Sequence, residues 1–279
     1  MGQTIEANGL SFHVVVEGEG PAVLLLHGFP DSSYLWRHQV PVLADAGFKV
    51  IAPDLRGFGE SDRPQAIEAY GVQPILGDVT GILDALAVER ASVVGHDWGA
   101  AVAWVMATLL PERVERLVPL SVGHPAGFHA AGIRQREMSW YMLLFQFPGV
   151  AEEALRRDDW RLARELLGGD GDLERYVADL SRPGALTAAL NWYRANVPPE
   201  VLFAADAPSL PPVRCPTMGV WSSGDRYLTE ELMSGSGEHV QGPWRYERVE
   251  GAGHWIPLDA PDHLNRLLLE FLTEGAAEG

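Results

Sequence analysis

Residues 91 to 104 read ASVVGHDWGAAVAW. A short apolar run ends at Gly95, a carboxylate stands at Asp97, and a helical pattern of small and apolar residues begins at Gly99. Small residues two before and two after a central position, where a strand turns into a helix, are the spacing of a nucleophile elbow, a sharp turn that pushes one side chain out above a sheet. Neighbouring side chains must be absent there, and Gly95 and Gly99 have none. The dipole of the helix that follows favours a carboxylate over its neutral acid. An Asp that merely caps the helix fits the same five residues, so this stretch alone leaves two readings, nucleophile and cap.

On both sides of it strand and helix alternate. QTIEANG and LSFHVVVEG read as two antiparallel strands joined at Asn8-Gly9. AVLLL, FKVIAPD, ASVVG and RLVPLS are short, continuously apolar runs, the pattern of parallel strands buried on both faces. Between and after them SSYLWRHQVPVLADAG, PILGDVTGILDALAV and GAAVAWVMATLLPERV have helical spacing. The class is α/β, a mostly parallel sheet flanked by helices. From His124 to Ala205 the rhythm breaks into helical, aromatic text (RQREMSWYMLLFQFPG, EEALRRDDWRLARELLG, ALTAALNWYRAN), and strands resume with PTMGVWSSGD and WRYERVEGAGH. The expected organisation is a core domain over 1–123 and 206–279 with a helical cap over 124–205. Such an insertion lies over one end of the sheet, where ligands of these folds bind outside the carboxyl ends of the strands.

Two further stretches bear on Asp97. After the first buried run, His27-Gly28-Phe29-Pro30 can aim the Phe29 N–H at the elbow beside that of Trp98, and two converging donors make an oxyanion hole; an ordinary Gly-Pro turn is the plain alternative. After the last two strands, VWSSGDRYL places Asp225 and EGAGHWIPLDAP places His254 in loops at the same edge. Nucleophile, acid and histidine thus follow in the order 97, 225, 254, although a histidine in a turn, like His124 or His239, is usually only that. Three features at one edge favour catalysis.

With those residues in view, the chain resembles an α/β-hydrolase-fold enzyme of the soluble epoxide hydrolase type. LLLHGFPDSSYLWRHQVPVLADAGFKVIAPDLRGFGESDRP, VVGHDWGAAVAW and GAGHWIPLDAP are shared with haloalkane dehalogenases, whereas YMLLFQFPGVAEEAL and LNWYRAN resemble the segments bearing that family's paired lid tyrosines. The resemblance implies Tyr141 and Tyr193 as that pair, a small apolar epoxide and water as substrates, and no cofactor. It also gives the Asp its purpose. Attack by a Ser alkoxide on an epoxide would leave an ether, whereas a carboxylate leaves an ester that water can cleave. Phe29, Pro30, Trp98, Met142, Leu143 and Trp192 are expected around an apolar pocket, although each could equally pack within the lid.

Composition narrows the alternatives. A net charge of −17 disfavours nucleic acid and anionic membrane surfaces, and no apolar run nears the roughly twenty residues a membrane span needs. One cysteine, Cys215, allows no intrachain disulfide, and no Cys/His cluster stands at metal-ligand spacing. The N-terminus has no basic start followed by an apolar segment, so a cytoplasmic protein is expected, monomer or homodimer being undecidable. G-x-S-x-G is absent, which argues against a serine esterase. Haloalkane dehalogenase is the nearest rival, but Phe29 stands where many dehalogenases carry an Asn that donates to halide, and a phenyl ring cannot donate. A non-catalytic ligand-binding protein of the same fold is the rival from another class.

Overall fold

A computed structural model describes residues 2–130, 132–168, 171–204 and 210–274. Eight strands form one sheet: β1 (Gly2–Ala7), β2 (Leu10–Glu17), β3 (Ala22–Leu26), β4 (Lys49–Pro53), β5 (Ala91–His96), β6 (Val114–Leu120), β7 (Thr217–Ser222) and β8 (Trp244–Val249). Their order across the sheet is β1-β2-β4-β3-β5-β6-β7-β8, with β2 antiparallel to both β1 and β4 and every other pair parallel. Asn8 and Gly9 both take positive φ, 48° and 76°, the backbone a two-residue hairpin turn needs. The apolar runs form the central strands, and β3, β5 and β7 are buried at every position because helices cover both faces.

Every parallel strand from β3 onward delivers its carboxyl end to the same edge. The loops after β3, β5, β7 and β8 carry Phe29, Asp97, Asp225 and His254, and β6 leads into the helices between Pro125 and Leu202. Those helices are tied to the edge by specific bonds: Trp192 Nε1–H to the Arg56 carbonyl (3.0 Å), Asn196 Nδ2–H to the Tyr70 carbonyl (2.8 Å) and Tyr176 Oη–H to Asp31 Oδ2 (3.0 Å). The expected boundary at 205/206 and the tail from 275 lie outside the described residues.

Three helical expectations change in detail. Residues 32–47 form a 3-10 turn, Ser33–His38, and a short helix, Val40–Asp45, because Pro41 lacks the N–H that one continuous helix would use. RQREMSWYMLLF divides into Ile133–Met138 and Tyr141–Phe145; Ser139 between them turns its hydroxyl to the Tyr227 carbonyl. Val150–Leu167 is interrupted at Arg157, and Asp158, Asp159 and Trp160 take left-handed φ of 53°, 54° and 62°. In the loop after β4, Arg56 is ion-paired with Asp78, while Asp54 accepts the amides of Ser33 (2.7 Å) and Glu60 (2.8 Å); both brace loops. Among the described residues no helix is long and apolar enough to cross a membrane.

Candidate active site

Asp97 is the first residue beyond β5, with φ 52° and ψ −121°, a backbone that costs a non-glycine residue about 1–3 kcal/mol. The cap reading fails here. Its side chain makes no capping bond in the Trp98–Leu109 helix; the backbone carbonyl of Asp97 accepts from Ala100 and Ala101 instead, so the carboxylate is not occupied by those inner amides. Close packing holds the turn: a Cβ on Gly99 would stand 2.0 Å from the Leu26 carbonyl oxygen, and one on Gly28 would stand 2.3 Å from Asp97 Oδ1. Only glycine fits either place.

The loop after β3 brings the Phe29 amide to Asp97 Oδ1 at 2.7 Å, and the Trp98 amide also donates to this carboxyl group. His254 approaches from the other side, its Nε2 3.7 Å from Asp97 Oδ2. Its Nδ1 is 2.8 Å from Asp225 Oδ2, while Asp225 Oδ1 accepts the amides of Tyr227 (2.8 Å) and Leu228 (3.0 Å). Asp225 is thereby locked by its own turn and orients the imidazole. The loop of His254 is tied down as well: its carbonyl accepts from His96 Nε2 and from Ser121 Oγ, both at 3.0 Å.

Charge follows this geometry. Burial acts to lower the His254 pKa, but Asp225 and Asp97 outweigh it and raise it to about 10, so the imidazole is charged beside two carboxylates. Burial acts to raise the Asp97 pKa, yet His254 and the Trp98 amide bring it below the ordinary carboxylate value. His96, tilted against His254 with ring centroids 4.7 Å apart, is driven down to about 3 by burial and by the neighbouring imidazole's charge. It stays neutral and donates from Nε2.

Tyr141 and Tyr193 arrive from two helices, Tyr141–Phe145 and Ala185–Asn196, with ring centroids 6.0 Å apart and nearly perpendicular planes. Burial, then the charge of Asp97, lifts both phenols well above their usual pKa, so they remain protonated. Both face one small cavity, about 20 Å³, lined also by Phe29, Asp97, Leu166, Leu167, Tyr227, His254 and Trp255. That volume holds a single water.

Residues 21–261 match the family model described as alpha/beta hydrolase fold. The chain belongs to that family. This hydrolase is 36% identical to Epoxide hydrolase A of Mycobacterium tuberculosis, over 96% of both chains, and 36% identical to AB hydrolase superfamily protein YfhM of Bacillus subtilis, over 97% of both. Among solved structures, it is similar to one described as belonging to novel epoxide hydrolases in metagenomes from hot environments, with TM-score 0.87 and 33% identity over 98% of both chains. The Bacillus megaterium epoxide hydrolase, crystallised with an inhibitor, gives TM-score 0.87 at 28% identity, over 97% of this chain and 100% of that one.

Of the apolar residues expected around the pocket of this hydrolase, only Phe29 lines the cavity. Tyr141 and Phe145, four apart, turn inward on their short helix, so Met142 is only partly buried and Leu143 is 37% exposed. Trp192 is buried, but its indole lies against Phe58 and Trp98 and bonds the Arg56 carbonyl, which turns it toward the core loop and away from the cavity. Trp98 packs edge-on against Tyr193, and Pro30 is buried; neither is among the residues that line the cavity. Tyr227 and Trp255 take those places. Their signal was adjacency: one lies two residues after Asp225, the other directly after His254. Leu166 and Leu167 had no signal, since nothing local says which turn of a helix will meet the site.

Proposed function

We propose that this hydrolase adds water to an epoxide to give a vicinal diol through a covalent ester on Asp97. One observation carries the reading: a carboxylate in an elbow, two phenols and an imidazole face the same cavity. The names of the relatives agree with it.

In the first step Asp97 Oδ2 attacks an oxirane carbon in line with the C–O bond, while Oδ1 stays on the Phe29 amide. The bond's electron pair passes to the ring oxygen, which takes a proton from a phenol of the Tyr141/Tyr193 pair. Esterification abolishes the Asp97 charge that helped to keep His254 protonated. The imidazolium proton then restores the phenol, leaving His254 neutral. In the second step His254 Nε2 takes a proton from water, and hydroxide adds to the ester carbonyl. The resulting oxyanion on Oδ1 faces the amides of Phe29 and Trp98, each donor worth about 3 kcal/mol in comparable sites. Collapse breaks the bond to the alkyl oxygen, which takes the acid proton of Asp97. Diol leaves, and the resting pair of carboxylate and imidazolium returns.

A single turnover with excess enzyme in heavy-oxygen water tests the route: label should enter the Asp97 carboxylate, and label in the diol alone would rule out an ester. His254→Ala should form the ester, visible by intact mass, and stall there. The dehalogenase reading is weaker, because the Phe29 ring is packed between Phe145 and Tyr193 and offers no donor to a halide.

A further inference from the structure

We infer that Arg194, clasped by Glu152 and assisted by Gln146, is a positioning residue that sets the separation of the two tyrosine-bearing helices and so aims both phenols at one substrate oxygen. The inference rests on the roles proposed above for Tyr141 and Tyr193. Arg194 directly follows Tyr193 and is only 8% exposed. Its Nε donates to the carbonyl of Phe145 (2.9 Å), the last residue of the short helix that begins with Tyr141. Carbonyls at a helix end have no partner within the helix and attract positive charge, so this bond has a built-in direction. The other end of the guanidinium forms a two-pronged pair with Glu152 (2.9 and 3.0 Å) and a third bond to Asn191 Oδ1 (3.0 Å).

Glu152 is fixed in turn, since its Oε2 accepts the Gly149 amide at 2.7 Å at the start of the Val150–Leu167 helix. Gln146 closes the clasp from the other side: its Nε2 lies within bonding distance of the carbonyls of Met142 (3.1 Å), Tyr193 (3.3 Å) and Val197 (3.2 Å). Between these bonds sits the Phe145 ring, 4.9 Å from that of Tyr193 and 5.4 Å from that of Tyr141. The two tyrosines are therefore spaced by a shared ring and a shared cation.

A purely stabilising role would be a poor use of these groups. Buried ion pairs contribute little net stability against apolar replacements, whereas the planar fork of Arg fixes relative orientation. Orientation is what proton donation requires, because a donor misplaced by about 1 Å can cost on the order of 100-fold in rate. The phenols act only when the epoxide opens. Ester hydrolysis uses Asp225, His254 and the backbone amides of Phe29 and Trp98, which are held by the core loops and by none of these bonds of Arg194, Glu152 or Gln146.

The test separates the two steps in single turnovers, following ester formation and ester decay with styrene oxide on the full chain. Arg194→Met should slow ester formation by about 10- to 100-fold and leave ester decay close to the wild-type rate. Equal slowing of both steps, or of neither, would overturn the inference. If Arg194→Met does not fold, Gln146→Leu decides by the same criterion, with a smaller effect expected. Tyr141→Phe and Tyr193→Phe run beside them: if these leave ester formation unchanged, the proposed roles of the phenols fail, whereas slow tyrosine variants beside an unaffected Arg194→Met mean that the clasp alone is wrong.

Discussion

The site is assembled from two regions held by different means. In the sheet, Asp97, Asp225 and His254 are positioned by backbone: a strained turn, glycines in van der Waals contact with carbonyls, and peptide N–H groups that lock each carboxylate. In the helices between β6 and β7, Tyr141 and Tyr193 are surrounded by side-chain devices: a buried Arg–Glu pair, an amide and a cluster of edge-to-face aromatic rings. Backbone devices tolerate almost no change of residue and leave a short local motif. Side-chain devices can be built many ways and leave no short local motif.

The contrast can be broken at its strongest point with Gly28→Ala. The new methyl would stand 2.3 Å from Asp97 Oδ1 and 2.5 Å from the Trp98 nitrogen, displacing the proposed nucleophile and a proposed oxyanion donor together. Both chemical steps should slow by about 100-fold or more, and an enzyme that alkylated normally would show that the backbone is not the positioning device. Tyr141→Phe and Tyr193→Phe should act on ester formation alone, by about 10-fold singly and about 100-fold together. Ester decay measured in the double variant checks this; a slow decay would place the phenols in the second step as well.

A subtler test lies in pH. Free His254, beside two carboxylates, has a pKa of about 10, and esterification removes one of those charges. Since the base must be neutral, the rate of ester decay should rise through a pKa below that value as pH increases. A limb at or above pH 10 in single turnovers would mean that Asp97 is not esterified or does not act on His254.

The smallest effect is expected where the two regions meet. Asp31 Oδ2 accepts Tyr176 Oη–H from the helices (3.0 Å) and Trp255 Nε1–H from the His254 loop (2.8 Å). Burial raises its pKa from 3.8 to about 7. The folded chain thus binds a proton that the unfolded chain has lost, and this group's contribution to stability declines as pH rises from about 4 to about 7. Asp31→Asn keeps an acceptor and cannot ionise, so its Tm relative to wild type should climb across that window. A constant difference would show that Asp31 does not titrate there.

The strands, the elbow and the order 97, 225, 254 were legible because each depends on neighbours in sequence: apolar runs, glycines at fixed offsets, and loops following strands. Helix boundaries were legible only in part, since Pro41 and Ser139 divide runs whose spacing is continuous. Pocket lining was the least legible. Met142, Leu143 and Trp192 have the right chemistry, but the face a short helix turns inward is chosen by what packs behind it.

By itself, then, the sequence determined that a carboxylate would stand on a strand-to-helix turn with an acid and a histidine following at the same sheet edge, because backbone periodicity and glycine spacing are local properties. Only the tertiary structure decided that Tyr227 and Trp255 would wall the cavity and that Arg194 would join the tyrosine helices. Those choices depend on contacts between residues tens to more than two hundred positions apart, as between Asp31 and Trp255, and burial and hydrogen bonding can select among side chains only after the chain has brought them together.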